Sequence, residues 1–197
     1  MMATAVANVN EDRVLVLTPT GKDGTLAVSV LTEAGIRAAA TSNLQELCRQ
    51  LSHGAGALLL AQEALSTTMM PALIEQLKHQ PAWSDIPIIF LTAFGEGFYT
   101  SLRIIDMFRP AGSVTILERP LQKLTLVSAI QAALRSRRRQ YQVRDLLRKL
   151  EESQSELQDK IQDLEKFEQV VVGRELKMIG LERENHELKE ALRRGHL

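Results

Sequence analysis

With 24 basic and 24 acidic side chains among 197 residues, the chain carries no net field to draw it to nucleic acid or an anionic membrane. Its one cysteine, Cys48, excludes an internal disulfide framework and suits a reducing, cytoplasmic compartment. No apolar run is long enough to span a bilayer, and residues 1–12 lack the basic start and apolar stretch of a signal peptide.

Residues 13–17 (RVLVL) read as a buried strand, followed by a loop over 18–24 (TPTGKDG) on its Pro and Gly content. A helix is predicted over 25–34, with Gly35 as its stop. A weaker strand covers 36–40. Ser42 or Asn43 can cap a helix that runs through Leu51 and ends at Gly54. Strand three is 57–61 (ALLLA), then come a helix over 71–80, a loop over 81–85 and strand four over 87–93. A loop and helix occupy 95–108, and strand five is 113–117 (SVTIL). A helix starts at Gln122 and meets no Gly or Pro until Gly173. Short apolar strands alternating with amphipathic helices predict an α/β fold, a doubly wound five-stranded parallel sheet. Ligands of such sheets sit at the carboxyl ends of the strands.

From Val143 onward the apolar residues recur at alternating steps of three and four. The a positions are Val143, Leu150, Leu157, Leu164, Val171, Met178, Asn185 and Leu192; the d positions include Leu146, Phe167, Leu181 and Leu188. This is the seam of a left-handed coiled coil. Ser153, Lys160 and Arg174 interrupt the d layer. A lone Asn185 at an a site favours an identical Asn opposite it, hence a parallel homodimer in register. Lys177–Glu182 and Glu184–Lys189 across the seam agree, whereas Asp163–Glu168 is repulsive. The expected organisation is a flexible N-terminus over 1–12, an α/β domain over 13–135, a coiled-coil helix over 136–192 continuous with the last domain helix, and a tail over 193–197.

The stretches 86–95 (IPIIFLTAFG) and 112–121 (GSVTILERPL) resemble the fourth strand and the fifth strand with its Lys-Pro turn in response-regulator receiver (CheY-like) domains. The spacing between them also matches, and the resemblance covers residues 13–135. It implies a flavodoxin-like fold and a phosphoryl-accepting site after the strands. The acidic Mg²⁺ pair of such domains falls here on Thr18 and Pro19, and the phosphoacceptor Asp on Ala61 or on Gln62. The hydroxyl residue falls on Thr92, the Lys on Arg119 with Pro120 after it, and the switch aromatic on Ile116. Mg²⁺ requires hard oxygen ligands, and phosphoryl transfer to protein requires a nucleophile beside that metal. Thr18, Pro19 and Ala61 provide neither, so the resemblance is to a degenerate pseudo-receiver with no cofactor and no catalysis. The alternative is a phosphoacceptor using the displaced carboxylates Asp23 and Glu63.

Lys22 lies in a Thr-Gly-Lys turn that lacks phosphate-loop spacing. The basic run 135–139 (RSRRR), with Arg144, Arg148 and Lys149, reads as a solvated helix surface. A nucleotide- or nucleic-acid-binding regulator is the reading these two features leave open. His186 stands in a sequence (NHELK) resembling a histidine-kinase phosphoacceptor box, but no Pro follows and it falls at an outward-facing b site. The stretch 137–147 (RRRQYQVRDLL) resembles the junction that follows N-terminal receiver-like domains of hybrid sensor kinases, and 167–181 resembles helical linkers beside sensor-kinase modules. The expected partners are therefore a second copy of the chain and a sensor histidine kinase or other signalling protein.

Overall fold

The computed structural model describes residues 10–18, 21–66, 70–95 and 98–194, and the side chains of these except 21, 22, 98–100, 188 and 190–193. Chain order is β1 (Val14–Leu17), α1 (Gly21–Glu33), β2 (Ala38–Thr41), α2 (Leu44–Leu51), β3 (Ala57–Ala61), α3 (Met70–Lys78), β4 (Ile88–Thr92), α4 (Phe98–Phe108), β5 (Val114–Glu118) and α5 (Lys123–Arg194). A 3-10 turn over Gln62–Ser66 follows β3. All strand pairs are parallel, in the order β2-β1-β3-β4-β5. This is the five-stranded doubly wound arrangement predicted above, and its topological switch point lies between β1 and β3.

Alternation along the strands divides the core. Leu15, Leu17, Leu58, Leu60, Ile88 and Phe90 face one side, against Leu47 of α2, Leu73 and Leu77 of α3, and Ile104 and Phe108 of α4. Val14, Val16, Leu59, Ile89 and Leu91 face the other, against Val30 and Leu31 of α1 and Leu126, Ile130 and Leu134 of α5. Because both faces are covered, the central strands are apolar at every position but Thr92 at the end of β4, which is why they read as unbroken runs.

Local signals act where the sequence places them. Asn43 accepts a hydrogen bond from the Glu46 amide at 2.8 Å and caps α2. Gly35, at φ +73°, ends α1 in a Schellman arrangement: the Ile36 amide donates to Leu31 O at 2.9 Å and the Gly35 amide to Thr32 O at 2.9 Å. One boundary is corrected. The loop predicted through Gly24 is already helical from Gly21. Gly24 there lies against Thr18, just after β1, since a Cβ on it would meet Thr18 Oγ1 at 2.5 Å; close packing, not a turn, is the reason for this glycine.

Two compact units divide the chain, residues 1–145 and residues 146–197. The first includes α5 residues beyond Arg135, held by Arg137, Tyr141 and Arg144. In the second, α5 continues through Gly173 and Gly180. The seam side chains Leu146, Leu150, Leu157, Leu164, Phe167, Val171, Met178 and Leu181 are all exposed on the single chain, as is Val143 just before them. Asn185 is exposed too, whereas the side chains of Leu188 and Leu192 lie outside the described set.

Candidate functional site

The carboxyl ends of β1, β3, β4 and β5 converge where the sheet reverses its winding. Thr18, Ala61 and Thr92 are all buried there; Pro19 lies outside the described residues. Ala61 is the last residue of β3 and pairs with Leu91, so Gln62 already begins the 3-10 turn and Glu63 follows in it. Thr92 pairs with Glu118. The Arg119 amide donates to Thr92 O at 2.9 Å, and the Arg119–Pro120 peptide bond is cis. Ile116 of β5 packs partly buried against the core.

Arg119 organises this end of the sheet. Its Nη1 donates to Asp23 Oδ2 of α1 at 3.3 Å, and its Nη2 donates to Glu63 Oε1. Its Nε reaches Thr92 O at 3.4 Å. Two carboxylates that are displaced from the expected positions in sequence are thus brought together, because α1 starts early and the 3-10 turn brings Glu63 round. What they hold is a guanidinium. A planar fork that takes one carboxylate on each of two nitrogens fills with protein charge the space between them. No group of three or more His, Cys, Asp or Glu side chains capable of holding a metal occurs among the described residues.

Beside this cluster a cavity of about 550 Å³ opens between α1 and the start of α5, bordered by Leu26, Val30, Phe94, Leu121 and Leu126, with Asp23, Arg119 and Lys123 at its rim. Leu26 and Phe94 are 62% and 81% exposed, an apolar edge that the domain itself leaves uncovered.

A second cluster lies at the opposite end of the strands. Arg137, only 7% exposed, lies over Tyr141 at 4.6 Å and Trp83 at 5.5 Å. Arg144 lies over the same rings at 4.8 and 5.4 Å. Tyr141 donates to Ala55 O at 3.1 Å. Arg137 Nη1 donates to Ser84 Oγ and Gln140 Oε1, both at 2.7 Å. Arg144 pairs with Glu11 at 2.6 Å and Asp145 at 2.8 Å, and Arg138 with Asp12 at 2.9 Å. The expectation of a solvated basic surface is therefore corrected for Arg137 and Arg144, which lie over aromatic faces; Arg138 stays exposed while it pairs with Asp12. Burial raises the Tyr141 pKa, against the opposing pull of Arg137 and Arg144. Hydrogen bonding to Glu11 raises that of Arg144. The lone aromatic within the basic run is the sequence signal that points to this cluster.

No protein-family model matches the chain, and no curated protein matches it. Solved structures do. NtrX from Brucella abortus in complex with ADP superposes at a TM-score of 0.55 with 17% identity over 69% of this chain, which spans 29% of the NtrX length. A response regulator receiver domain protein from Clostridium thermocellum gives 0.52 and 19%, over 64% of this chain and 96% of that one. The signal receiver domain of a putative LuxO repressor protein from Vibrio parahaemolyticus gives 0.53 and 14%, over 70% and 97%. The likeness is one of fold: the chain has the fold of response-regulator receiver domains. No described helix is long and apolar enough to cross a membrane.

Proposed function

We propose that this receiver-fold chain is a non-catalytic, cytoplasmic interaction protein of a two-component signalling pathway. It is a pseudo-receiver that dimerises through a parallel coiled coil formed by α5. The observation that carries this reading is the pairing of Arg119 with both Asp23 and Glu63 in a chain that offers Thr18 and Ala61 where a receiver places carboxylates. The guanidinium holds the charge position that a divalent cation would need, and no oxygen nucleophile stands at the end of β3. The phosphoacceptor alternative draws on the same two carboxylates, yet it would require Arg119 to release both and a cation to replace it.

The exposed seam from Val143 to Leu181 supports dimerisation, since an apolar stripe at heptad spacing is stable only against another helix. The apolar edge at Leu26 and Phe94, beside the charged rim of Asp23, Arg119 and Lys123, supports docking of a helix from a sensor kinase or related signalling protein. Calorimetric titration with Mg²⁺ tests the site. No binding heat is expected; saturable binding abolished by Glu63→Gln would favour the phosphoacceptor alternative.

A further inference from the structure

The basic run of α5 divides into two sets. Arg137 and Arg144 lie over aromatic rings, and Arg138 pairs with Asp12. Arg135 and Arg139 are exposed, and the side chain of neither makes an ion pair or a hydrogen bond among the described residues. They stand at i and i+4, so they share one face of the helix. That face is not the one laid on the sheet, because Ile130, Leu134, Arg137 and Tyr141 are the buried residues of this part of α5. The heptad register places the two remaining arginines. One heptad before Leu146, Arg139 is a d residue; one heptad before Val143, Ser136 is an a residue, and Arg135 is the g residue next to it.

In a two-fold parallel pair each d residue meets its own copy, and each g residue faces an e residue of the other helix. Arg139 therefore meets Arg139, and Arg135 faces the neutral amide of Gln140. Guanidinium groups from both chains gather at the start of the seam with no carboxylate paired to them. Ser136, in the layer before Arg139, is short and leaves room between the helices. We propose that this end of the paired helices is a binding site for a diphosphate group, complete only when two chains associate. The proposal rests on the parallel-dimer reading given above. A guanidinium fork takes phosphate oxygens two at a time, and a diphosphate has two phosphates, one for the arginines of each chain. Its charge removes the repulsion within the Arg139 layer and draws the first turns of the seam together. Without it, that layer opposes pairing. An anion that binds only the paired state tightens the pairing in proportion to its own affinity.

Sedimentation equilibrium of the full chain at constant ionic strength, in chloride, inorganic phosphate, pyrophosphate or adenosine diphosphate, tests it. Millimolar pyrophosphate is expected to lower the dimer dissociation constant by about tenfold, a gain that one hydrogen bond between charged groups supplies. Inorganic phosphate should lower it less. The response to adenosine diphosphate, set against that to pyrophosphate, tells a nucleotide from the free anion as the source of the group. Arg139→Leu makes the layer apolar, so its dimer is expected to be tighter than wild type in chloride and to ignore pyrophosphate. Arg135→Gln should keep the dimer and weaken the response. A wild-type dimer indifferent to pyrophosphate, or an Arg139→Leu dimer that responds as wild type does, would overturn the site and leave the dimer standing. A chain that stays monomeric in every buffer, pyrophosphate included, would overturn the parallel-dimer reading and the site with it.

Discussion

Tyr141 carries two jobs at one position: its hydroxyl satisfies Ala55 O, and its ring packs against the guanidinium groups of Arg137 and Arg144. Tyr141→Phe keeps the ring and leaves a buried carbonyl without its donor, at an expected cost of about 1–3 kcal/mol. The same hydroxyl sets a pH dependence. Its pKa is raised above 10.0, chiefly by burial, so the neutral form is favoured in the fold. The stability that follows is fully present below pH 10 and is lost as pH rises through the raised value. Trp83, the only tryptophan, sits 5.8 Å from the Tyr141 ring and reports on this cluster directly. Denaturant unfolding followed by its fluorescence should show a decline above pH 10 in wild type, and a shallower one in Tyr141→Phe. Arg119 behaves differently because its partners are about half exposed. Arg119→Gln is expected to cost no more than about 1 kcal/mol, and less at high salt. A chemical-denaturation series across ionic strength checks that figure.

At the scale of elements, helix caps and strand runs are legible because each depends on neighbours in sequence. Asn43 and Gly35 act where their chemistry predicts, and β3 matches its predicted bounds residue for residue. Asn43→Ala should destabilise the domain by about 1 kcal/mol, measured by the same unfolding curves. The start of α1 is not legible, because Gly21 and Gly24 read as turn residues and only the packing of Thr18 against Gly24 shows why a glycine is needed inside a helix. For α5 the heptad spacing makes a further prediction. Leu157→Asp with Leu164→Asp places charge in two adjoining a layers and is expected to give monomers by light scattering. Asn185→Leu should stabilise the paired helices while loosening their register or number. Spin labels near the carboxyl end of α5 should lie close together across a parallel pair.

For the whole molecule, the sheet and its winding follow from patterns that repeat along the chain, so they can be read before any contact is known. The two charged clusters cannot. Arg119 meets Asp23 across 96 positions and Glu63 across 56, and Arg144 meets Glu11 across 133. Such pairs depend on which strand ends and helix faces the fold brings together, not on local spacing. Thr18 and Ala61 are nevertheless legible in the sequence as positions without a carboxylate, so neither side chain can accept a phosphoryl group as an acyl phosphate. What the fold adds is that the nearest carboxylates are tied to Arg119.

The most direct test is the intact mass of the full chain after incubation with acetyl phosphate and Mg²⁺, with a phosphorylatable receiver domain treated alongside. No phosphoryl increment is expected on this chain while the control gains one. A labile increment lost in Glu63→Gln or Asp23→Asn would contradict it, and would make these two carboxylates the working site of a true phosphoacceptor.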